Sequence, residues 1–410
     1  MKIQIDKMFI NELLTRGVAV VYPTKKALSD ALMSGDRLTF YNGIDPTGPT
    51  LHVGHMIHIR KLARLQELGH RVILLIGDFT AQIGDPTDKM AVRKPLTHAQ
   101  VLENCRLYRK QASRFLDFDS TDNPAEFQYN SHWLAKLNFE DTIRLASHFT
   151  VQRLLERDMF QKRIKEGKPI HVHEFLYPLM QGYDSVAMKV DGELCGNDQV
   201  FNALVGRDLV KEYLGKEKYI LAAKLLVDPT GKKMGKTEGN MISMQDTPTD
   251  MYGKIMAIQD ELIAVHFELL TDVPMKVVEQ MEIAVKEGGN PRDFKARLAF
   301  ECVKLYIDEP SAERAREQFV TVFQKKDIPL EMETFHLTRK EVTVDAKITV
   351  MELFMRTKLC SSKNEVRRLF EQKGLKINHQ LVVSLNHDYH GEDELVLQKG
   401  KRYFARVVLE

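Results

Sequence analysis

Between Leu38 and Ile76 the hydrophobic pattern changes period twice, and the changes predict three linked elements. A short extended segment, Leu38 to Tyr41, runs into a loop rich in proline and glycine, Gly43 to Thr50. Met56, Ile59, Leu62, Ala63 and Leu65 then recur at helical spacing, with Arg60, Lys61, Arg64 and Gln66 on the other face. Gly69 stops this helix, and Val72-Ile73-Leu74-Leu75-Ile76 is an unbroken apolar run of strand length. Strand, loop, helix and strand make a βαβ unit, the building block of an α/β domain with a parallel sheet.

The rest of the chain extends this frame. Residues 1–37 read as two short helices, one ending at Gly17 and one running from Thr24 to Ser34. Residues 97–170 read mostly as helices, with Thr97 as a cap. Pro178 suits the first turn of a helix that carries Tyr177, Gln181 and Asp184. Val186 to Val190 reads as a strand, with Glu193 to Cys195 leading into a short loop, Gly196 to Gln199, and a helix from Val200. Residues 247–325 follow a helical pattern throughout. From Ile348 a small separate module begins. In it a helix capped by Ser362 and Glu365, and closed by Gly374, carries Lys363, Arg367 and Arg368 on its polar face. A hairpin turning at Asn378-His379 and two later strands follow, with Lys399, Lys401 and Arg402 at the last turn. The expected domains are 1–222, catalytic; 223–330, a lysine loop and an α-helical domain; 331–345, a linker; and 346–410, an α+β RNA-binding module.

Candidate chemistry gathers where strands end. His52-Val53-Gly54-His55 stands at a helix N-terminus, where free N–H groups and the helix dipole favour an anion. Gly84-Asp85-Pro86 follows a buried strand, at the edge where open α/β sheets bind ligands. Asp85 is suited to a substrate cation, and Lys89 and Arg93 just beyond it to phosphates. Tyr177, Gln181 and Asp184 sit at i, i+4 and i+7, on one helix face among Leu176, Leu179 and Met180. Such a polar row, if buried, needs partners and suggests a pocket for a small, polar, partly cationic ligand. Lys233-Met234-Gly235-Lys236-Thr237 puts two lysines around a glycine, as a loop closing on a triphosphate would.

Composition narrows the class. The chain has 410 residues, 43% hydrophobic and 28% charged, with a net charge of +2, so it has material for a sizeable core and for more than one domain. With so little net charge, nucleic-acid affinity must come from local patches, such as the basic helix face of the terminal module. Cys105, Cys195, Cys302 and Cys360 stand far apart with no CxxC pair, which argues against a zinc site and a disulfide framework. Apolar runs are strand-sized and no signal peptide is visible, so a soluble cytoplasmic protein with no membrane role is expected.

Together, these motifs carry a resemblance. The histidine motif resembles the HIGH signature of class I aminoacyl-tRNA synthetases, and the lysine loop the KMSKS signature that accompanies it. With Tyr41-x-Gly43-x-Asp45-Pro46-Thr47, Gly84-Asp85-Pro86-Thr87, Tyr177-x3-Gln181-x2-Asp184 and Gly196-x-Asp198-Gln199, nearly the whole chain is similar to bacterial-type tyrosyl-tRNA synthetases, and the terminal module to their S-four-type RNA-binding domain. The resemblance implies a Rossmann-like doubly wound parallel sheet. It implies activation of L-tyrosine by ATP with Mg²⁺, no metal held by the protein, transfer to tRNA(Tyr), and a homodimer. It places Tyr41 and Asp184 on the substrate phenol, Asp85, Tyr177 and Gln181 on its ammonium, and Gln199 near its carboxylate. Gly43, Asp45, Gly196 and Asp198 line the ribose and carboxylate region, and Gly54 lies under adenine. Thr47, His52, His55, Lys89, Arg93, Lys233, Lys236 and Thr237 serve the phosphates. His58 stands where ribose contacts vary. The chain departs in Val53 of HVGH, in Gly235 for the first serine of KMSKS, and in Val200-Phe201 where many relatives have Trp-Gly. Two other readings stay open: a tryptophan enzyme of the same fold, not expected to pair Tyr41 with the Tyr177 row, and a non-catalytic RNA-binding protein, which need not keep both signatures.

Overall fold

A computed structural model describes residues 3–85, 96–227, 241–321, 332–344, 347–389, 391–400 and 403–410. Its contacts divide the chain into one unit of residues 1–247 with 254–306 and a second of residues 248–253 with 307–410.

The first unit is built on a six-stranded sheet in the order β1-β6-β5-β2-β3-β4. The strands are β1 (Val18–Tyr22), β2 (Thr39–Ile44), β3 (Arg71–Ile76), β4 (Glu126–Tyr129), β5 (Gly192–Gly196) and β6 (Tyr219–Ala223). β2 to β6 run parallel, and β1 lies antiparallel on β6 at the edge. From β2 the chain builds outward through β3 and β4, then returns to the other side of β2 with β5. The order therefore reverses between β2 and β5, and the crevice at their carboxyl ends is where such sheets bind ligands. β3 is buried along Val72–Ile76, as its unbroken apolar run requires.

The Val53–Glu67 helix buries Met56, Ile59, Leu62, Ala63 and Leu65. Gln66 was expected on the polar face, but it is buried. Its side-chain amide donates to the carbonyls of Asp117 and Asn123 and accepts from the Asp117 N–H, so one side chain satisfies three backbone groups.

Several local expectations are corrected. β1 lies between the two N-terminal helices, Lys7–Leu13 and Lys25–Met33, where no strand was expected. β4 is only four residues long, too short to stand out within a helical stretch. Val186 to Val190 is not a strand. The Val172–Ala187 helix runs on because Val186 packs with Leu179, Val205 and Leu209 between two helices. Lys189 then takes a left-handed conformation, φ 53°, and the strand begins at Gly192. Pro178 lies in the interior of this helix rather than its first turn, and so offers no N–H to the carbonyl of Glu174.

In the second unit five strands pair in the order 380–381, 375–377, 394–399, 403–409, 333–337. Ile348, Leu353, Phe354, Val366, Leu395, Leu397 and Val407 form the core beneath them. Ser362 caps the Lys363–Glu371 helix, accepting from the Glu365 N–H at 3.2 Å. Lys373, φ 54°, takes the left-handed position expected of Gly374. Asn378 and His379, both with positive φ, make the hairpin turn. Among the described residues no helix is long and apolar enough to cross a membrane.

Candidate active site

A cavity of about 280 Å³ opens at the carboxyl ends of β2 and β5. Tyr41, Gly43 and Asp45 line it from the end of β2, and Gly196, Asp198 and Gln199 from the end of β5. The loop and first turns of the Val53–Glu67 helix bring Thr47, His52, Gly54, His55 and His58, and the Val172–Ala187 helix brings Tyr177, Gln181 and Asp184. Asp85 completes the wall. Every candidate of the first unit that the structure describes is thus in one cavity. Lys89, Arg93, Lys233, Lys236, Thr237, Lys401 and Arg402 lie outside the described residues.

At the helix start, histidine does the work of a capping residue. His52 Nδ1 accepts from the Gly54 N–H at 3.1 Å, His55 Nδ1 accepts from the His52 N–H at 3.2 Å, and the rings stack 3.8 Å apart. A Cβ on Gly54 would sit 2.9 Å from the His52 ring, so this turn requires glycine. The expectation of free N–H groups here is corrected: Val53 N–H is bonded to Ile242 O, and that of His55 to His52 O. Any contact this turn makes to an anion falls to the imidazoles and the dipole.

In the Tyr177, Gln181 and Asp184 row, Tyr177 and Asp184 are buried and Gln181 is half-buried, and all three are partnered, as a polar row on a packed face must be. Tyr177 donates to Asp45 Oδ2 at 2.8 Å, and Thr80 donates to Asp45 Oδ1 at 2.7 Å. Burial pushes the Asp45 carboxyl up to about 7, against the relief those two donors give. Asp184 accepts from Trp133 Nε1 at 2.7 Å and from Asn130 Nδ2 at 3.3 Å, and burial holds its carboxyl well above the usual range. Tyr41 meets the Ser185 hydroxyl at 3.0 Å, and burial, with Glu193 and Asp184 nearby, raises its phenol well above normal.

A second polar line runs from β5 to Asp85. The Lys218 ammonium is salt-bridged to Glu193, both buried. Glu193 Oε1 accepts from Gln181 Nε2 at 3.0 Å, and Asn202 Nδ2 donates to Gln181 Oε1 at 2.8 Å and to Gln199 Oε1 at 2.9 Å. Gln199 Nε2 donates to Asp85 Oδ2 at 2.7 Å, and buried Arg157 reaches Asp85 Oδ1 at 3.5 Å. Sequence reasoning missed Thr80, Asn130, Trp133, Arg157, Ser185, Glu193, Asn202 and Lys218. The signals were small: the single tryptophan of the chain, and one carboxylate inside an otherwise apolar strand.

In the second unit Lys363, Arg367 and Arg368 are exposed, and Lys363 stands 3.6 Å from Glu352. Lys399, expected with Lys401 and Arg402 at a basic turn, is tied to Leu359 O and to Glu365, both at 2.7 Å.

Known proteins resemble this chain in sequence and in fold. The family model for class I tRNA synthetases (W and Y) matches residues 33–324. The tyrosine–tRNA ligase of Thermotoga maritima is 44% identical over 94% of both chains, and that of Carboxydothermus hydrogenoformans 42% identical over 97% of both. In fold the chain is similar to a truncated mitochondrial tyrosyl-tRNA synthetase of Coccidioides posadasii, TM-score 0.61 at 24% identity, over 75% of this chain and 91% of that one. It is also similar to the Archaeoglobus fulgidus synthetase complexed with L-tyrosine, TM-score 0.59 at 22% identity, over 76% of this chain and all of that one. With relatives this similar over nearly the full length of both chains, the chain belongs to the tyrosine–tRNA ligase family of class I synthetases.

Proposed function

We propose that this chain activates L-tyrosine with ATP to tyrosyl-adenylate and pyrophosphate, and then transfers the tyrosyl group to the terminal adenosine of tRNA(Tyr). The observation that carries the reading is the single cavity at the sheet's switch point, shared by the Tyr177, Gln181 and Asp184 row and the His52 and His55 turn. One part suits an amino acid with a hydroxyl at its far end, the other a nucleotide.

The tyrosine carboxylate attacks the α-phosphorus of ATP in line and pyrophosphate leaves. No protein nucleophile is needed, so catalysis is positioning and electrostatic stabilisation. Tyr41 and Asp184 take the phenol hydroxyl. Asp85, Tyr177 and Gln181 take the ammonium, and Gln199 the carboxylate. Gly43, Asp45, Gly196, Asp198 and His58 serve the ribose side, and Gly54 leaves room for adenine. Thr47, His52 and His55 meet the phosphates with Lys89, Arg93, Lys233, Lys236 and Thr237. Mg²⁺ would accompany ATP as part of the substrate. The exposed Lys363, Arg367 and Arg368 face the tRNA backbone. The protein works as a cytoplasmic homodimer, a second copy covering the exposed Phe139, Ile143, Val151 and Val172.

Calorimetric titration tests the pocket. L-Tyrosine is expected to bind well ahead of L-phenylalanine and L-tryptophan, because phenylalanine leaves the buried hydroxyl partners unpaired. Preferential tryptophan binding would overturn the assignment of Tyr41 and Asp184 to the substrate phenol.

A further inference from the structure

Glu193 is a buried carboxylate on β5, paired in register with Tyr41, and both its oxygens are occupied. Lys218 reaches it from the strand β6 side, past the point where two helices touch. A Cβ on Gly206 would lie 2.5 Å from Lys218 Nζ and 3.3 Å from Gly182 Cα, so the approach is closed to any larger residue.

A carboxylate only accepts hydrogen bonds, whereas an amide can face either way. Glu193 therefore determines how Gln181 faces: its nitrogen turns to Glu193 and its oxygen turns away, toward Asn202. Asn202 must then offer its N–H groups, one to Gln181 and one to Gln199. Gln199 in turn receives on its oxygen and directs its nitrogen to Asp85, a second group that only accepts. The amides donate outward from Asn202, through Gln181 to Glu193 on one side and through Gln199 to Asp85 on the other. One lone pair of Gln181 Oε1 and one N–H of Gln199 are left over by this arrangement.

We propose that the Lys218–Glu193 pair is a positioning device for the amino-acid substrate. Glu193 orients Gln181 so that it presents oxygen to the ammonium, while Asp85 at the other end orients Gln199 so that it presents an N–H to the carboxylate, and Asn202 donates to both amides. Lys218 occupies the second oxygen of Glu193, which holds the carboxylate in place and leaves its first oxygen to accept from Gln181. The inference rests on the reading of the cavity as the tyrosine site.

The test compares Glu193→Gln, Lys218→Met and the double variant in tyrosine-dependent ATP–pyrophosphate exchange. The double variant leaves no unpaired buried charge, so its thermal midpoint is expected to recover from that of Lys218→Met alone. Its KM for L-tyrosine is expected to rise about tenfold, the loss of roughly one charge-assisted hydrogen bond, with kcat and the KM for ATP within about twofold. As competitive inhibitors, tyramine should weaken with tyrosine, while 4-ethylphenol, which has neither ammonium nor carboxylate, should not. A purely structural pair would move the thermal midpoint alone, or weaken 4-ethylphenol and ATP equally, and either result overturns the proposal. A wild-type protein with no tyrosine-dependent exchange overturns the site reading and this inference together. A working wild type with an unmoved double variant overturns the inference alone.

Discussion

The Tyr177 hydroxyl donates to Asp45 Oδ2 at 2.8 Å, tying the Val172–Ala187 helix to the end of β2 across the cavity. Asp45 has a raised carboxyl, at about 7, so its neutral form is favoured in the folded protein. The stability this brings is fully present below the unfolded value near 3.8 and is lost as pH rises through 7. Asp45→Asn removes that dependence. Because Asp45 opens onto the cavity, the effect is discounted to about 1–2 kcal/mol. Thermal melts are expected to show the variant gaining on the wild type between pH 5 and pH 8, with exchange activity reduced at both.

Trp133 donates to Asp184 at 2.7 Å and is the chain's single tryptophan. Its fluorescence is therefore a direct report on the phenol end of the cavity. L-Tyrosine is expected to change the emission saturably, and ATP alone to leave it nearly unchanged. Trp133→Phe leaves Asp184 short of one donor, about 1–2 kcal/mol, and is expected to raise the KM for tyrosine roughly fivefold to thirtyfold.

Gly54→Ala separates the nucleotide side from the amino-acid side. The added Cβ, 2.9 Å from the His52 ring, breaks the histidine cap at a cost of about 1 kcal/mol and fills the space proposed for adenine. The KM for ATP is expected to rise at least about tenfold, the equivalent of 1.4 kcal/mol. Tyrosine binding, read by Trp133 fluorescence, is expected to stay within about twofold, since the cap lies outside the phenol site.

His70 accepts from the Leu38 N–H at 3.2 Å and is fully buried, and burial lowers it to about 4. Its neutral form is favoured on folding, so its contribution is present above about 6.5 and is lost as pH falls through 4. The shift corresponds to roughly 3 kcal/mol. His70→Asn retains an acceptor and cannot titrate. Its stability is expected to fall less steeply than that of the wild type between pH 6.5 and pH 4 in urea unfolding.

Replacing Lys363, Arg367 and Arg368 together by alanine is expected to weaken tRNA binding, lower its salt dependence by up to roughly three units of slope, and leave tyrosine-dependent exchange unchanged. An unchanged salt slope would remove this helix face from the tRNA contact.

The parts of the fold legible in sequence were those where period and punctuation agree. The run Val72–Ile76 and the helix from Val53 needed no tertiary information, because burial on two faces and on one face leave different patterns. The edge strand β4, Glu-Phe-Gln-Tyr, was missed because it is half polar, and β1, Val-Ala-Val-Val-Tyr, because it is a short run between two helices. The false strand at Val186–Val190 arose because an apolar run at a helix end, packed against a second helix, carries the same residues as a buried strand. In the site, the described residues singled out by type and spacing come together in one cavity. Their supports were not legible in sequence: Trp133, Asn130, Asn202 and Lys218 come from separate elements, and only folding brings them to Asp184, Gln181 and Glu193.

The most direct test of the central claim is ATP–pyrophosphate exchange by the purified protein with each of the twenty amino acids in turn. Exchange stimulated by L-tyrosine and lost in Asp184→Ala is the predicted result. Exchange driven by another amino acid, or none with any amino acid in a folded sample that binds RNA, would contradict it.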